Sequence, residues 1–391
     1  MTAKSGTRDN TLDVARGLGM LLLIYAHALE IILKGRPDDV FLMSAFVQYK
    51  FICAFDVPLF FLISGAANRN IARKTLREVA ESSLRLIALA YMVHVAGGIL
   101  LYFDRTLPWT DFEVVKGTLT PFIKGAGFST IVLWFLYALG IVQLLFYVML
   151  RSVELKSARL RVALWAVLAV LGAASVVSLF FPATPSFQQV KAWVPGLILF
   201  GLGYWLHRRG WMSPPVLLAI PLFAVVALLA PLNNGCLLSP SASCPIPDFH
   251  EQFAVYMING TLGFLPLFLV TAVLGCYAML ALSRLKLLAP IAFLGRYSLE
   301  LFVINGFSVV FVNFELDKIP FDQLGWGMNG YDVVAIMVVA QIVLFIFLRP
   351  LFSWLRTSSQ WLAVRAYDII AYVMGRTWAV FAARAEARRP G

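Results

Sequence analysis

Charge is what this chain most lacks. Only 14% of its 391 residues are Asp, Glu, Lys or Arg, against roughly 25% in an ordinary soluble domain. A soluble protein of this length would have little with which to coat its surface. Cysteine is scarce too, with four in all. Cys53 and Cys276 lie inside apolar runs and read as packing residues, whereas Cys236 and Cys244 share one polar loop. The compartment that loop faces decides whether they pair. There is no internal repeat and no low-complexity tract, and no small-residue cleavage site follows the polar segment Met1–Asn10. The first apolar stretch is therefore expected to stay in the protein as a spanning helix.

What the chain has in abundance is apolar sequence, 60% of all residues. It comes in recurrent runs of about 20 residues, each long enough to cross a bilayer core. Spanning helices are expected near 12–34, 44–66, 84–103, 130–150, 162–181, 192–207, 214–231, 254–282, 289–313 and 331–354. The fold class is thus all-α: a polytopic integral membrane protein of about ten helices, with a transmembrane domain over 1–356 and a basic, amphipathic tail over 357–391. The interrupted stretch Trp361–Ala383, with Arg365, Asp368 and Arg376, reads as an interfacial helix and not as a further span.

The net charge of +11 raises the question of a nucleic-acid partner. The cations sit in short segments between apolar runs, which is a membrane-orientation pattern and argues against nucleic acid. Of the 32 Lys and Arg residues, 24 fall on the side of the N-terminus in this layout. Both termini are accordingly expected in the cytoplasm, with the protein in a bacterial inner membrane. Loops 105–130 and 232–253 then lie outside.

Ionisable residues inside a span are costly and mark functional sites by default. Asp13, Arg16, Met20, Leu23, His27, Glu30 and Lys34 follow steps of three or four and share one face of the first helix. His27 lies eleven residues beyond Arg16, roughly 16 Å along the axis, near mid-membrane. Glu30, one turn further, is placed to accept a ring N–H and fix the imidazole tautomer. The plainer alternative is structural: Asp13 and Arg16 staple the helix end, and His27 bonds a neighbouring helix. The second span adds Asp56 and then Pro58, which is expected to kink it. Arg69, Arg73, Lys74 and Arg77 follow in a loop as an orientation signal, while Arg85 lies deeper, where a cytoplasmic anion could reach it.

At these residues the sequence resembles the membrane acyltransferase family 3, which includes bacterial O-acetyltransferases of surface polysaccharides. The resemblance begins at Leu12-Asp13-Val14-Ala15-Arg16-Gly17, reaches His27 and continues at Val57-Pro58-Leu59-Phe60-Phe61-Leu62-Ile63-Ser64-Gly65. Weaker echoes stand at Leu133-Trp134-Phe135-Leu136 and Leu294-Gly295-Arg296-Tyr297-Ser298-Leu299. It implies an acyl-CoA donor, usually acetyl-CoA, taken from the cytoplasm without a metal, and an acceptor hydroxyl at the outer surface, as on a glycan or glycolipid. It makes His27 the catalytic residue, with Asp13 and Glu30 in support. Arg16 and Arg85 become the donor-binding cations, helped by Arg73 and Lys74. Asp56, Ser64, Trp134 and Asn305 are the candidates for acceptor contacts. Three positions depart from the family: Ser82 replaces the first of its paired arginines, Asn305 its second histidine, and Asp56 the histidine often found before Val-Pro.

The competing reading is a transporter or flippase for a lipid-linked glycan, with the stripe as its path. Such proteins show matched broken helices in two halves, but here the polar residues concentrate in helices one to three. A fluorescent protein that matures only in the cytoplasm, fused after Gly391, is expected to fluoresce. Alkaline phosphatase fused at the same point is expected to stay inactive, and the opposite pair of results would reverse the topology.

Overall fold

Apolar runs become helices here because a bilayer core offers no water, so each spanning segment must satisfy its own backbone polar groups. The computed structural model describes residues 10–35, 42–103, 110–130, 132–181, 186–233, 255–258, 260–315 and 330–387. Among them the elements are helical, save one isolated bridge between Tyr256 and Thr261. The helices are α1 Thr11–Gly35, α2 Leu42–Cys53, α3 Asp56–Ala67, α4 Leu76–Phe103, α5 Asp111–Lys124, α6 Leu133–Ser152 and α7 Ala158–Ser178. They continue as α8 Val190–Arg208, α9 Ala219–Leu229, α10 Leu265–Leu282, α11 Ala292–Arg296, α12 Ser298–Glu315 and α13 Gly330–Ala387. By length and composition seven helices among the described residues can cross a membrane, or eight if a bent pair (286–296 with 298–309) counts as one. The expected spans at 192–207 and 214–231 fall on α8 and on the shorter apolar helix Val216–Leu232.

α1 sits at the centre. It packs against α2, α3, α10, α11, α12 and α13, and 61% of its spanning window is buried, against 6% for α7. That contrast matches the sequences. α7 is apolar on all sides from Val162 to Val177 and exposes Val162, Trp165, Val167 and Val170, as a lipid-facing helix should. α1 carries ionisable groups, of which Asp13 and Glu30 are buried and Arg16 and His27 partly so.

Two glycine contacts set the packing of the motif helices. A Cβ on Gly295 would overlap the Asp13 carbonyl, and one on Gly17 would overlap the Ile291 carbonyl. The backbones of α1 and α11 therefore touch, as small residues allow in membrane bundles. The same device joins α3 to α8, where Gly65 meets the Phe200 carbonyl and Gly203 the Leu62 carbonyl.

The structure redraws several expected elements. The second span breaks at Ala54–Phe55, ahead of Asp56, and does not kink at Pro58. Pro58 stands in the first turn of α3, where its missing N–H would have had no helical partner in any case. Asp56 opens that helix, and its Oδ1 accepts from the Val57 N–H at 2.6 Å, a carboxylate at the positive end of the dipole. The expected span 254–282 is helical only from Leu265. The span 289–313 bends by 71° between Arg296 and Ser298. The loop 105–130, expected on the outer side, contains α5, amphipathic and opened by a Thr110–Glu113 capping box. The Thr110 N–H and hydroxyl both donate to Glu113 Oε2, which holds that carboxyl below its ordinary range. Lastly, the expected span 331–354 and the separate interfacial helix are one unbroken helix, α13, of 58 residues. At about 1.5 Å per residue it runs roughly 87 Å, far beyond a bilayer core of about 30 Å. Cys236 and Cys244 lie outside the described residues.

Gly295→Ala is expected to lower stability by about 1–3 kcal/mol, as overpacking does, seen as a drop in unfolding temperature in detergent. Gly172→Ala is the contrast, because a Cβ there meets only a Val194 methyl at 4.0 Å. It should leave that temperature unchanged or slightly raised.

Candidate active site

The polar stripe of α1 divides into two stations. At the first, the Arg16 guanidinium lies 3.4 Å from Asp13 Oδ1, and Arg296 Nε lies 3.8 Å from Asp13 Oδ2. Asp13 is buried and held between arginines from two helices. The first and last motif segments thus meet twice, through glycines and through this carboxylate. Arg16 also faces a cavity of about 260 Å³ whose polar lining is Arg16, Ser64, Asn68, Ser82, Arg85 and Gln143. Leucines from α4, α6 and α12 close the rest. Five helices contribute to it, and its two charges are both positive.

Ser82 and Gln143 fill one side of that cavity, with Gln143 Nε2 donating to Ser82 Oγ at 3.0 Å. Arg73 and Lys74 are elsewhere. Arg73 is exposed on the short 3₁₀ turn Ile71–Arg73. The Lys74 carbonyl accepts from the Tyr147 hydroxyl and from Arg151 Nη2, which ties that turn to α6. Neither side chain lines the cavity.

The second station is His27. Its Nδ1 lies 2.6 Å from Asn305 Oδ1, and Asn305 Nδ2 donates to Gln341 Oε1 at 3.0 Å. Asn305 is fully buried and Gln341 nearly so. An amide oxygen at Nδ1 requires the proton to be on Nδ1, which leaves the lone pair of a neutral ring on Nε2. The Gln341 oxygen in turn requires the Asn305 amide to point its nitrogen toward α13. The relay therefore fixes the tautomer of His27 from two helices away.

It is Asn305 that meets Nδ1, the role the sequence suggested for Glu30. Glu30 is buried one turn on, beside the Tyr256 hydroxyl and Cys53. Asp56 is also buried, near Cys53 and Cys276. Ser64 reaches the cavity, and Trp134 lies in the main apolar core, edge-on to Phe135 at 6.2 Å. The candidate acceptor residues Asp56, Ser64, Trp134 and Asn305 are thus not gathered into one place.

Sequence reasoning missed Gln341 and Gln143. Each is a single amide inside a long apolar run, between Asp332 and Arg349 in one case and Trp134 and Arg151 in the other. A lone amide in hydrocarbon needs a partner on another helix, and that was the available signal. His27 and Arg16 lie eleven residues apart, three helical turns within about 20° of rotation. One face of α1 therefore looks into the cavity below and into the amide relay above.

No curated protein and no solved structure matches the chain. A family model described as an acyltransferase domain matches residues 9–355, which spans every motif named above and both stations of the stripe. The helices that meet around Asp13, Arg16 and His27 are those of a membrane acyltransferase, and the chain belongs to acyltransferase family 3.

Proposed function

We propose that this membrane acyltransferase moves an acyl group, acetyl in the usual case, from cytoplasmic acyl-CoA to a hydroxyl of an acceptor at the outer surface, a glycan or glycolipid. The observation that carries the reading is the division of α1: a cationic cavity at Arg16 and, three turns on, a histidine whose Nδ1 is committed to Asn305. Family membership removes the transporter alternative. The positive-inside asymmetry supports a cytoplasmic cavity and an outward acceptor. Arg16 and Arg85 hold phosphate oxygens of the donor, and the thioester arm extends along α1 toward His27.

At the upper station the chemistry is general base catalysis. His27 Nε2 takes the proton of the acceptor hydroxyl while that oxygen attacks the thioester carbonyl. The tetrahedral carbon then expels the sulfur, and the C–S bond breaks. The imidazolium returns its proton to the leaving thiolate, giving the ester, free CoA and neutral His27. Asn305 holds Nδ1–H throughout, so the ring cannot turn its protonated nitrogen toward the substrate. No metal enters any step.

Membranes supplied with acetyl-CoA and acceptor are expected to lose about 100- to 10,000-fold in transfer rate on His27→Ala, the usual worth of a positioned base. Wild-type transfer by that variant would overturn the mechanism. Asn305→Ala is expected to cost about tenfold, near the 0.5–1.5 kcal/mol of one hydrogen bond. Asn305→Asp puts a negative charge beside Nδ1–H, which favours the charged ring over the neutral base. A base must be neutral to act, so the acid limb of the pH–rate profile should move to higher pH. An unmoved limb would show that Asn305 does not act through His27.

A further inference from the structure

Between the cationic cavity and His27 the bundle is filled, and much of the filling is aromatic. The register of the helices that line the cavity shows where it lies. On α12, Leu299 lines the cavity, Phe302 stands one turn on, and Asn305, the partner of His27 Nδ1, stands one turn beyond that. A Cβ on Gly306 would meet Val132, and one on Gly19 would meet Phe60. Numbers therefore fall on α6 and α3 as they rise on α12 and α1. On α6 the lining residue Leu139 gives way, one turn nearer the relay, to Phe135, and on α3 Ser64 gives way to Phe60.

The three rings touch. The Phe135 centroid lies 5.4 Å from that of Phe302 and 6.0 Å from that of Phe60, tilted to the first and edge-on to the second. On α1, Met20 and Leu23 fill the turns between Arg16 and His27. All five side chains are buried and belong to one apolar cluster. On α12 the layer is one helical turn thick, about 5 Å. It holds no strong hydrogen-bonding side chain, so packing alone keeps it together. A phenyl ring swings aside by a change of rotamer, and Met20 adapts through its flexible thioether chain. While its members touch, such an apolar constriction excludes water.

We propose that Phe60, Phe135 and Phe302, with Met20 and Leu23, form a gate across the donor's path. This rests on the donor reading above, which puts the phosphates of the donor on one side of the layer and the base on the other. The gate parts for the acyl-bearing arm, packs around it, and bars water from passing between the cavity and His27. Water there would compete with the acceptor for the acyl group. No gate residue moves a proton; together they admit the arm and keep the base dry.

The test uses the full chain, purified in detergent, and CoA supplied as its 2-pyridyl disulfide. In Leu23→Cys and Phe302→Cys, a thiolate in the path attacks the CoA sulfur, and pyridine-2-thione leaves. The new disulfide adds the mass of CoA to the protein. Both variants are expected to be captured, and excess acetyl-CoA should protect them. Phe200→Cys is the control, also buried but on α8, which does not line the cavity. It should react no more than wild type, whose own cysteines set the baseline. In a second measurement without acceptor, Phe135→Ala is expected to hydrolyse acetyl-CoA about tenfold faster than wild type, as a breached site would. Its CoA binding by calorimetry should be unchanged, and adding His27→Ala should remove the excess hydrolysis. If wild type binds CoA but neither new cysteine reacts beyond the control, or acetyl-CoA fails to protect them, the gate is overturned and the donor reading stands. Unchanged hydrolysis by a Phe135→Ala protein that binds CoA would overturn it too. If wild type binds no CoA, the donor reading falls and the gate falls with it.

Discussion

The backbone contact between α1 and α11 is the constraint on which the rest of the site depends. Two glycines, Gly17 and Gly295, let the helices approach until carbonyls occupy the space of side chains. Without a hydrophobic force between helices in lipid, close packing of this kind is what holds them together. The contact sets Asp13 against Arg296 and fixes the rotation of α1. Once that rotation is fixed, the face carrying Arg16 looks into the cavity and His27 meets Asn305. The 71° bend that follows Arg296 starts α12 at an angle from which Asn305 can reach α1. Backbone packing thus aims two side chains three turns apart.

Burial has a second effect, on the polar groups. Asn305 and Gln341 would be expensive in an apolar core if left alone. Joined to each other and to His27, they form a short network with little freedom to reorient. The histidine is thereby held by neutral dipoles, where a carboxylate would favour its charged form. Glu30, the carboxylate nearest in sequence, is turned toward Tyr256.

Much of this was legible in the sequence, and the reasons are physical. Apolar runs of bilayer length fix helices because the solvent permits little else. The stripe on α1 was readable because charges in hydrocarbon are too costly to be incidental. Arg16 and Arg85 were expected at a donor site and Ser64 at an acceptor site, and all three line one cavity. What escaped depends on contacts between distant segments. Periodicity cannot show that Asn305 reaches His27 across 278 positions, nor that the break before Asp56 precedes Pro58. Arg73 and Lys74 looked suitable by charge alone, but the turn that carries them is tied to α6 and directs them away. The amphipathic tail was visible as a helix. Its continuity with the last span was not, since proline in a sequence usually signals a stop.

That continuity gives the protein a mechanical property. Gln341 and Asp368 belong to one rod, 27 residues and about 40 Å apart, with the amide relay to His27 at one point and the contact with Arg77 of α4 at the other. A stiff helix transmits axial displacement along its length. Pro350 sits between the two points and leaves the Ile346 carbonyl without its usual helical partner. The rod therefore has one weakened link, between an upper arm held to the histidine through Gln341 and Asn305 and a lower arm that lies along α4.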